Sequence, residues 1–332
     1  MASTLIGKQA VVIGAGMGGL TAAGALADHF DNVVVLERDT LPSDPTYRSG
    51  TPQARHVHGL LLSGQRALSE LFPGFEQDLV EAGAVALRVG LDVRVERQGY
   101  DPFPQRDLGW FGYAASRPAI EHAVRRLVES RANITLRQRC PVQEVLASPT
   151  AEAVAGVRYE NGSGTSETIT ADLVVDASGR GVPTLRLLQS IGRPLPEETT
   201  IGIDLGYATS IFSIPDDAPT DWKGVMTFGQ APQNSRGGLM LPLEGNRWMA
   251  TIGGRHGDVP PGDAEGFLAY VKALRTPTIY NAISRAKRFA GSRATAFPRA
   301  YGVISSDLMS SRAGFCPSAT QSAGLILSTA KA

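Results

Sequence analysis

The chain has 332 residues, 42% of them hydrophobic, and its 32 Lys and Arg balance 32 Asp and Glu. That length suits one large domain or two interleaved ones, and a net charge of zero gives no long-range field favouring nucleic acid or an anionic membrane surface. Two cysteines, Cys140 and Cys316, cannot build a disulfide framework, and no basic, apolar leader or apolar run near twenty residues is present, so the expectation is a soluble, cytoplasmic protein without an integral membrane segment.

In chain order, residues 9–13 (QAVVI) predict a short buried strand. Residues 17–30 carry Leu20, Ala23 and Ala27 at helical spacing, and 32–36 form a second β-branched run. Between strand and helix lies GAGMGG, which gives Gly14, Gly16 and Gly19 the GxGxxG spacing around Ala15, and Glu37 closes the second strand 23 residues after Gly14. The physics of this unit is specific. Gly14 permits the tight turn, Gly16 lets the backbone approach a pyrophosphate, Gly19 lets helix pack on strand, and Glu37 can accept hydrogen bonds from a ribose. The unit predicts dinucleotide binding without choosing FAD over NAD.

Further along, PQARHVHGLLLSGQRALSELFPG (52–74) runs from a loop holding Arg55, His56 and His58 into a helix. Two histidines two residues apart suggest metal, but no Cys, Asp or third His sits nearby at ligand spacing, so no metal is expected. Ser116, Arg117 and Pro118 open a helix that continues through Glu121 to about Ser130. CPVQEV follows from Cys140, which reads as a buried small hydrophobe. In ADLVVDASGRG (171–181), Asp176 ends an apolar strand before a Gly-rich turn, where it serves either an Asx turn or a ligand. Beyond about 195, TIGIDLGYATSIFSIP, GGLMLPL and RWMATIGG read as strands, and 263–274 as a helix with Phe267, Tyr270, Val271 and Leu274 on one face. Trp110, Phe111, Trp222, Phe228 and Trp248 could line an apolar pocket or simply fill the core.

Five of these stretches together (the GAGMGG unit with Glu37–Arg38, the PQARHVHGLL segment, Ser116–Arg117–Pro118 with Glu121, CPVQEV, and ADLVVDASGRG) resemble the FAD-dependent monooxygenases of the aromatic-hydroxylase type and their epoxidase and reductase relatives. The resemblance runs from about residue 8 to about residue 300. It implies an α/β fold: a Rossmann-like FAD-binding domain with a mostly parallel sheet (1–85 and 106–195), interleaved with a mixed-sheet substrate domain (86–105 and 196–300). It implies FAD contacts from Gly14, Ala15, Gly16, Gly19, Glu37, Arg38, Arg55, His56, Arg117, Val142 and Asp176, with Arg117 on a flavin phosphate and the Val142 backbone at the adenine. It also implies NAD(P)H as electron donor and an apolar small molecule as substrate. No protein catalytic residue is named, because the flavin performs the redox chemistry. The expected function is an FAD-dependent oxidoreductase that hydroxylates or epoxidises with O2. The alternatives are a reductase acting on an isoprenoid-like substrate and an inactive remnant. A plain NAD(P) dehydrogenase is disfavoured, since no Tyr-x-x-x-Lys pair follows the first βαβ unit. Ala177 stands where many relatives have Gly, a departure at the turn after Asp176.

The last thirty residues break this pattern. From Gly302 to Ala332 only Asp307, Arg312 and Lys331 are charged, and the Gly-Asp-Ala, Pro and Gly-Gln-Gly stretch that the resemblance calls for does not appear. Read one base out of frame, the codons from Ser318 permit Gly-Asp-Ala, four loosely constrained codons, Asp or Asn, Pro, one free codon, Tyr and Gly-Gln-Gly. The same shift from Tyr301 permits Arg-His-Phe-Glu-Arg. The expectation is that a single-base insertion or deletion near Tyr301 turned 301–332 into an aberrant, disordered tail and left the flavin weakly held.

Overall fold

Val11, Val12, Val33, Val34 and Val35 form continuous apolar runs with no polar alternation, the signature of strands covered on both faces. They lie in β1 (Gly7–Ile13) and β2 (Phe30–Leu36), parallel neighbours joined by α1 (Met17–Leu26). The helix stops four residues short of its predicted end. Pairing of Gly7 with Phe30 draws Phe30 into the strand, so that 27–29 become the turn. The computed structural model describes residues 5–230 and 232–289, with backbone alone for 198–203 and for two later strands. The expectation for 301–332 falls almost wholly outside those residues.

Along the chain follow α2 (Leu62–Leu71), α3 (Phe75–Glu81), β3 (Val85–Arg88), α4 (Val89–Asp92), β4 (Val93–Arg97), β5 (Phe111–Ala114) and α5 (Arg117–Glu129). Next come β6 (Ile134–Arg137), β7 (Val142–Ala147), β8 (Val154–Glu160), β9 (Ser166–Thr170), β10 (Leu173–Asp176) and α6 (Val182–Ser190). The later part holds β11 (Glu197–Ser213), β12 (Gly224–Phe228), β13 (Gly237–Leu243), β14 (Arg247–Arg255), α7 (Ala264–Lys272), α8 (Thr278–Ile283), β15 (Arg293–Ile304) and β16 (Gly324–Ile326).

Two main sheets result. The first has the order β16-β10-β1-β2-β6, parallel except for β16. On one face Leu20, Phe72, Phe75, Ile120 and Val124 bury α1, α2, α3 and α5 against Ala10, Val12, Val33 and Val35. On the other, Val11, Ile13, Val34 and Leu36 meet Cys140, Val145, Val157, Tyr159 and Leu187 from the β7-β8-β9 layer and α6. Each such Leu, Val or Phe contributes roughly 1.5–3 kcal/mol by leaving water. Ser116 caps α5 by accepting a hydrogen bond from Ala119 N at 3.2 Å, with Pro118 in the first turn.

The second sheet has the order β15-β11-β14-β13-β12-β4, antiparallel except where β4 lies parallel to β12. Its strands alternate. Ala208, Phe212, Val225, Met240, Trp248, Ala250 and Ile252 point to the side covered by α7 and α8. The neighbouring positions Thr209, Thr251, Leu239, Met226 and Val95, opposite one another in consecutive ladders, therefore lie in one row on the reverse face. The molecule is thus the expected α/β architecture, a mostly parallel sheet with helices interleaved with a mixed sheet. Among the described residues no helix is long and apolar enough to cross a membrane.

Candidate functional site

The glycine turn between β1 and α1 is shaped by three different demands. Gly14 has φ +96°, a conformation that an L side chain adopts only under strain. At Gly19 an added Cβ would stand 1.8 Å from the Gly14 carbonyl oxygen, so only hydrogen lets the helix pass this close to the strand. Around Gly16 the space is open: a Cβ there would find its nearest neighbour, Arg48 Nη2, 4.0 Å away. Gly16 caps α1 without any side-chain acceptor, and the first turn holds no acidic residue, so the first amides of the helix are offered outward.

Glu37, 4% exposed, faces this turn from the end of β2. Its Oε2 accepts a hydrogen bond from Ala15 N at 2.7 Å and its Oε1 one from Asp39 N at 2.9 Å. Two acceptor sites per oxygen leave half the carboxylate's capacity for a ligand. The segment around Val142 is tied to the same place, since Cys140 N donates to the Glu37 carbonyl at 2.8 Å. Val142 itself opens β7, half-buried.

The residue that organises this neighbourhood is Arg48, which the sequence reading did not single out. Its side chain is 6% exposed and reaches four groups from four segments. Nε donates to Glu121 Oε1 at 2.8 Å, Nη1 to Asp39 Oδ2 at 2.9 Å and Nη2 to the Ala15 carbonyl at 3.2 Å, while Nη1 stands 3.4 Å from Glu37 Oε2. Burial alone would lower the guanidinium pKa, but the carboxylates of Glu121, Glu37 and Asp39 outweigh it and the net shift is upward. Arg48 stays charged. The signal available in the sequence was an arginine four residues before the PQARHVH segment.

Arg117 meets the same network from the start of α5. Its Nη2 donates to Glu121 Oε2 at 3.3 Å, and its Nε is buried with no hydrogen-bond partner. Between Arg48, Arg117 and Glu121 lies a cavity of about 10 Å³, room for about one water-sized group. Ala15, Gly16, Glu37 and Arg117 are therefore brought together through Arg48 and Glu121.

The other sequence-predicted residues lie around this centre or apart from it. Arg38 is exposed. Arg55 stacks over the Tyr47 ring at 4.8 Å. Asp176 is fully buried, its oxygens taken by Ser178 N at 3.0 Å, Thr184 N at 3.1 Å and Thr184 Oγ1 at 2.6 Å, which is the Asx-turn arrangement extended to the start of α6. Among the described residues no three His, Cys, Asp or Glu side chains group as metal ligands.

His56 marks where the two sheets meet. Its Nδ1 shares a hydrogen bond of 2.8 Å with Thr209 Oγ1, which in turn lies 2.7 Å from Thr251 Oγ1, and Thr251 Oγ1 accepts from Val57 N at 3.0 Å. The loop leading to α2 is thereby fastened to the reverse face of the mixed sheet. Burial pushes the His56 pKa below its ordinary 6.5, and His58 adds to the effect. His58 is also lowered, by burial first, although its hydrogen bond to the His56 carbonyl at 2.9 Å works the other way.

The same reverse face carries, at its far edge, an open cavity of about 750 Å³ bordered by Val95, Phe103, Leu108, Phe228, Arg97 and Arg106. The five aromatics divide accordingly. Trp222 and Trp248 stack at 5.7 Å in the core beneath α7, Phe228 borders the open cavity, and Trp110 and Phe111 are exposed.

No protein-family model matches the chain. It is 34% identical to Protein Rv3254 of Mycobacterium tuberculosis over 298 residues, 87% of this chain, and spans 62% of that protein's length. The flavin-dependent brominase Bmp2 superposes with a TM-score of 0.65 at 15% identity, over 90% of this chain and 68% of the brominase. The myxobacterial chondrochloren halogenase CndH gives 0.61 at 21% identity, over 87% and 64%. PqsL of Pseudomonas aeruginosa, described as a probable FAD-dependent monooxygenase, gives 0.60 at 14% identity, over 86% and 73%. With its parallel sheet, its glycine turn and the mixed sheet laid beside them, the chain has the fold of the FAD-dependent halogenases and monooxygenases.

Proposed function

We propose that this protein is an FAD-dependent oxidoreductase, a monooxygenase that hydroxylates or epoxidises an apolar small molecule using a nicotinamide donor and O2. One observation carries the reading: the open backbone at Gly16, the half-used Glu37 carboxylate and the unpartnered Arg117 Nε converge through the buried Arg48–Glu121 network. These groups fit the adenosine diphosphate half of a flavin nucleotide. A cradle without a Cβ beside a helix N-terminus suits the pyrophosphate, a buried donor lacking an acceptor suits an anionic oxygen, and spare carboxylate lone pairs suit ribose hydroxyls. When bound, the flavin would supply the transfer of two electrons from the donor and the activation of O2. The chain's own residues do the rest. Gly16 and the α1 amides with Arg117 hold phosphate, Glu37 orients the ribose, and His56 with Thr209 and Thr251 closes the joint between sheets against water. The nicotinamide donor and the oxygenase chemistry come from the resemblance.

Titration of the purified protein with FAD, followed by flavin fluorescence, tests the cofactor. Saturable binding that Gly16→Val abolishes while the circular dichroism spectrum stays unchanged is the expected result; full binding by a folded Gly16→Val protein overturns the assignment. Oxygen consumption with NADH or NADPH then separates oxygenase from reductase. The finer reading, a displaced frame from Tyr301, has its own test: shifting the frame by one base at Tyr301 should tighten FAD binding. Equal flavin content of the two proteins would remove it.

A further inference from the structure

We propose that the substrate is an elongated apolar carboxylate, held at its acid end by Arg97 and Arg106 with its body along the row Val95, Met226, Leu239. The row follows from register. Val95 lies opposite Met226, Met226 opposite Leu239, and Leu239 opposite Thr251, so the four side chains share one face of the mixed sheet. Three strand spacings separate Val95 from Thr251, roughly 14 Å. Val95 borders the 750 Å³ cavity, and Met226 and Leu239, also only half-buried, continue the apolar row from it toward the joint where Thr251 accepts from Val57 N.

The charge sits at one end. Arg97 and Arg106 border the cavity, both side chains exposed, and no acidic residue lines it. Arg97 lies over the Tyr100 ring at 5.2 Å, and neither guanidinium forms an ion pair among the described residues. The other borders, such as Val93, Val95, Phe103, Leu108 and Phe228, are apolar. Two cations without counter-charge at the rim of an apolar trough match a molecule with one anionic end and a hydrocarbon body, because guanidinium pairs with carboxylate through two parallel hydrogen bonds. A neutral apolar substrate would leave both charges unused.

This substrate class deepens the flavoenzyme reading and rests on it for which end reacts, but ligand binding itself does not require the cofactor. Isothermal titration of the protein with decanoate and with its uncharged amide, decanamide, is therefore read without flavin. Decanoate should bind about ten- to a hundredfold more tightly, the range set by charge-assisted hydrogen bonds. The Arg97→Gln/Arg106→Gln double variant should erase that preference while leaving decanamide affinity unchanged. Phe228→Glu, at a side chain that is already 49% exposed, should weaken decanoate more than decanamide. Equal affinity for the two probes, binding of neither, or a preference that survives in the double variant overturns the proposal. Loss of FAD binding with decanoate preference intact would instead sink the flavin reading alone.

Discussion

Arg48 does for this site what no single feature of the sequence suggests: one cation holds Glu37, Asp39 and Glu121 within 3.4 Å in a place shut off from water. Removing it leaves Glu37 and Asp39 with backbone amides alone and Glu121 with Arg117 as its remaining cation. Arg48→Met should therefore destabilise the protein by about 3–5 kcal/mol, seen as a lower urea midpoint, because breaking a buried pair from one side strands the other charge. An unchanged midpoint would mean that the carboxylates find other partners. Glu37→Gln keeps an acceptor for Ala15 N but loses the charge, so FAD affinity should fall roughly tenfold or more while the fold persists. His56 adds a pH dependence. Its folded pKa lies below 6.5, so the unfolded chain takes up the proton first. Stability should hold above about pH 6.5 and decline as pH falls from there through the lowered folded value. His56→Asn should flatten that acid limb in urea melts at pH 7.5 and 5.5, and a limb of undiminished steepness would move the effect to His58 and His122, both also lowered by burial.

At the scale of an element, the β1–α1 turn separates a ligand glycine from a packing glycine. Gly16→Ala meets nothing nearer than 4.0 Å and should cost no more than about 1 kcal/mol, the loss of a glycine at the N-cap, while impairing FAD binding. Gly19→Ala drives a Cβ against the Gly14 carbonyl and should cost at least about 1–3 kcal/mol whether or not FAD is present. Comparing the two melting curves checks both. Elements that declare themselves locally were legible in the sequence. The helix at 263–274 is α7 with Asp263 as its cap, accepting from Gly266 N at 2.7 Å, and Ser116 opens α5 as its motif implied. What depended on distant pairing was hidden. Residues 93–97 (VRVER) alternate like a strand, but only their parallel pairing with β12, about 130 residues on, shows which face Val93 and Val95 present and what they border, so the trough could not be read. Arg48 was hidden for the same reason, its four partners being spread from Ala15 to Glu121.

Across the whole molecule, polar ties join the mixed sheet to the loops and helices that surround the parallel one. These include, among the described residues, the His56–Thr209–Thr251 chain and the bond from Ser116 N to Glu244 Oε2 at 3.0 Å. Thr251→Val removes the acceptor for Val57 N and the partner of Thr209 at one stroke, and faster amide exchange at Val57 without loss of the α7 core is the expected signature. The interleaving has a temporal side as well. β4 leaves the ribosome about 130 residues before β12, the strand it must lie against, and the β10 strand that flanks β1 also comes late. At typical synthesis rates the gap lasts roughly 7–26 s. Throughout that interval the nascent chain carries an unpaired Val93–Arg97 segment, a window in which a chaperone that shields strand edges has something to hold.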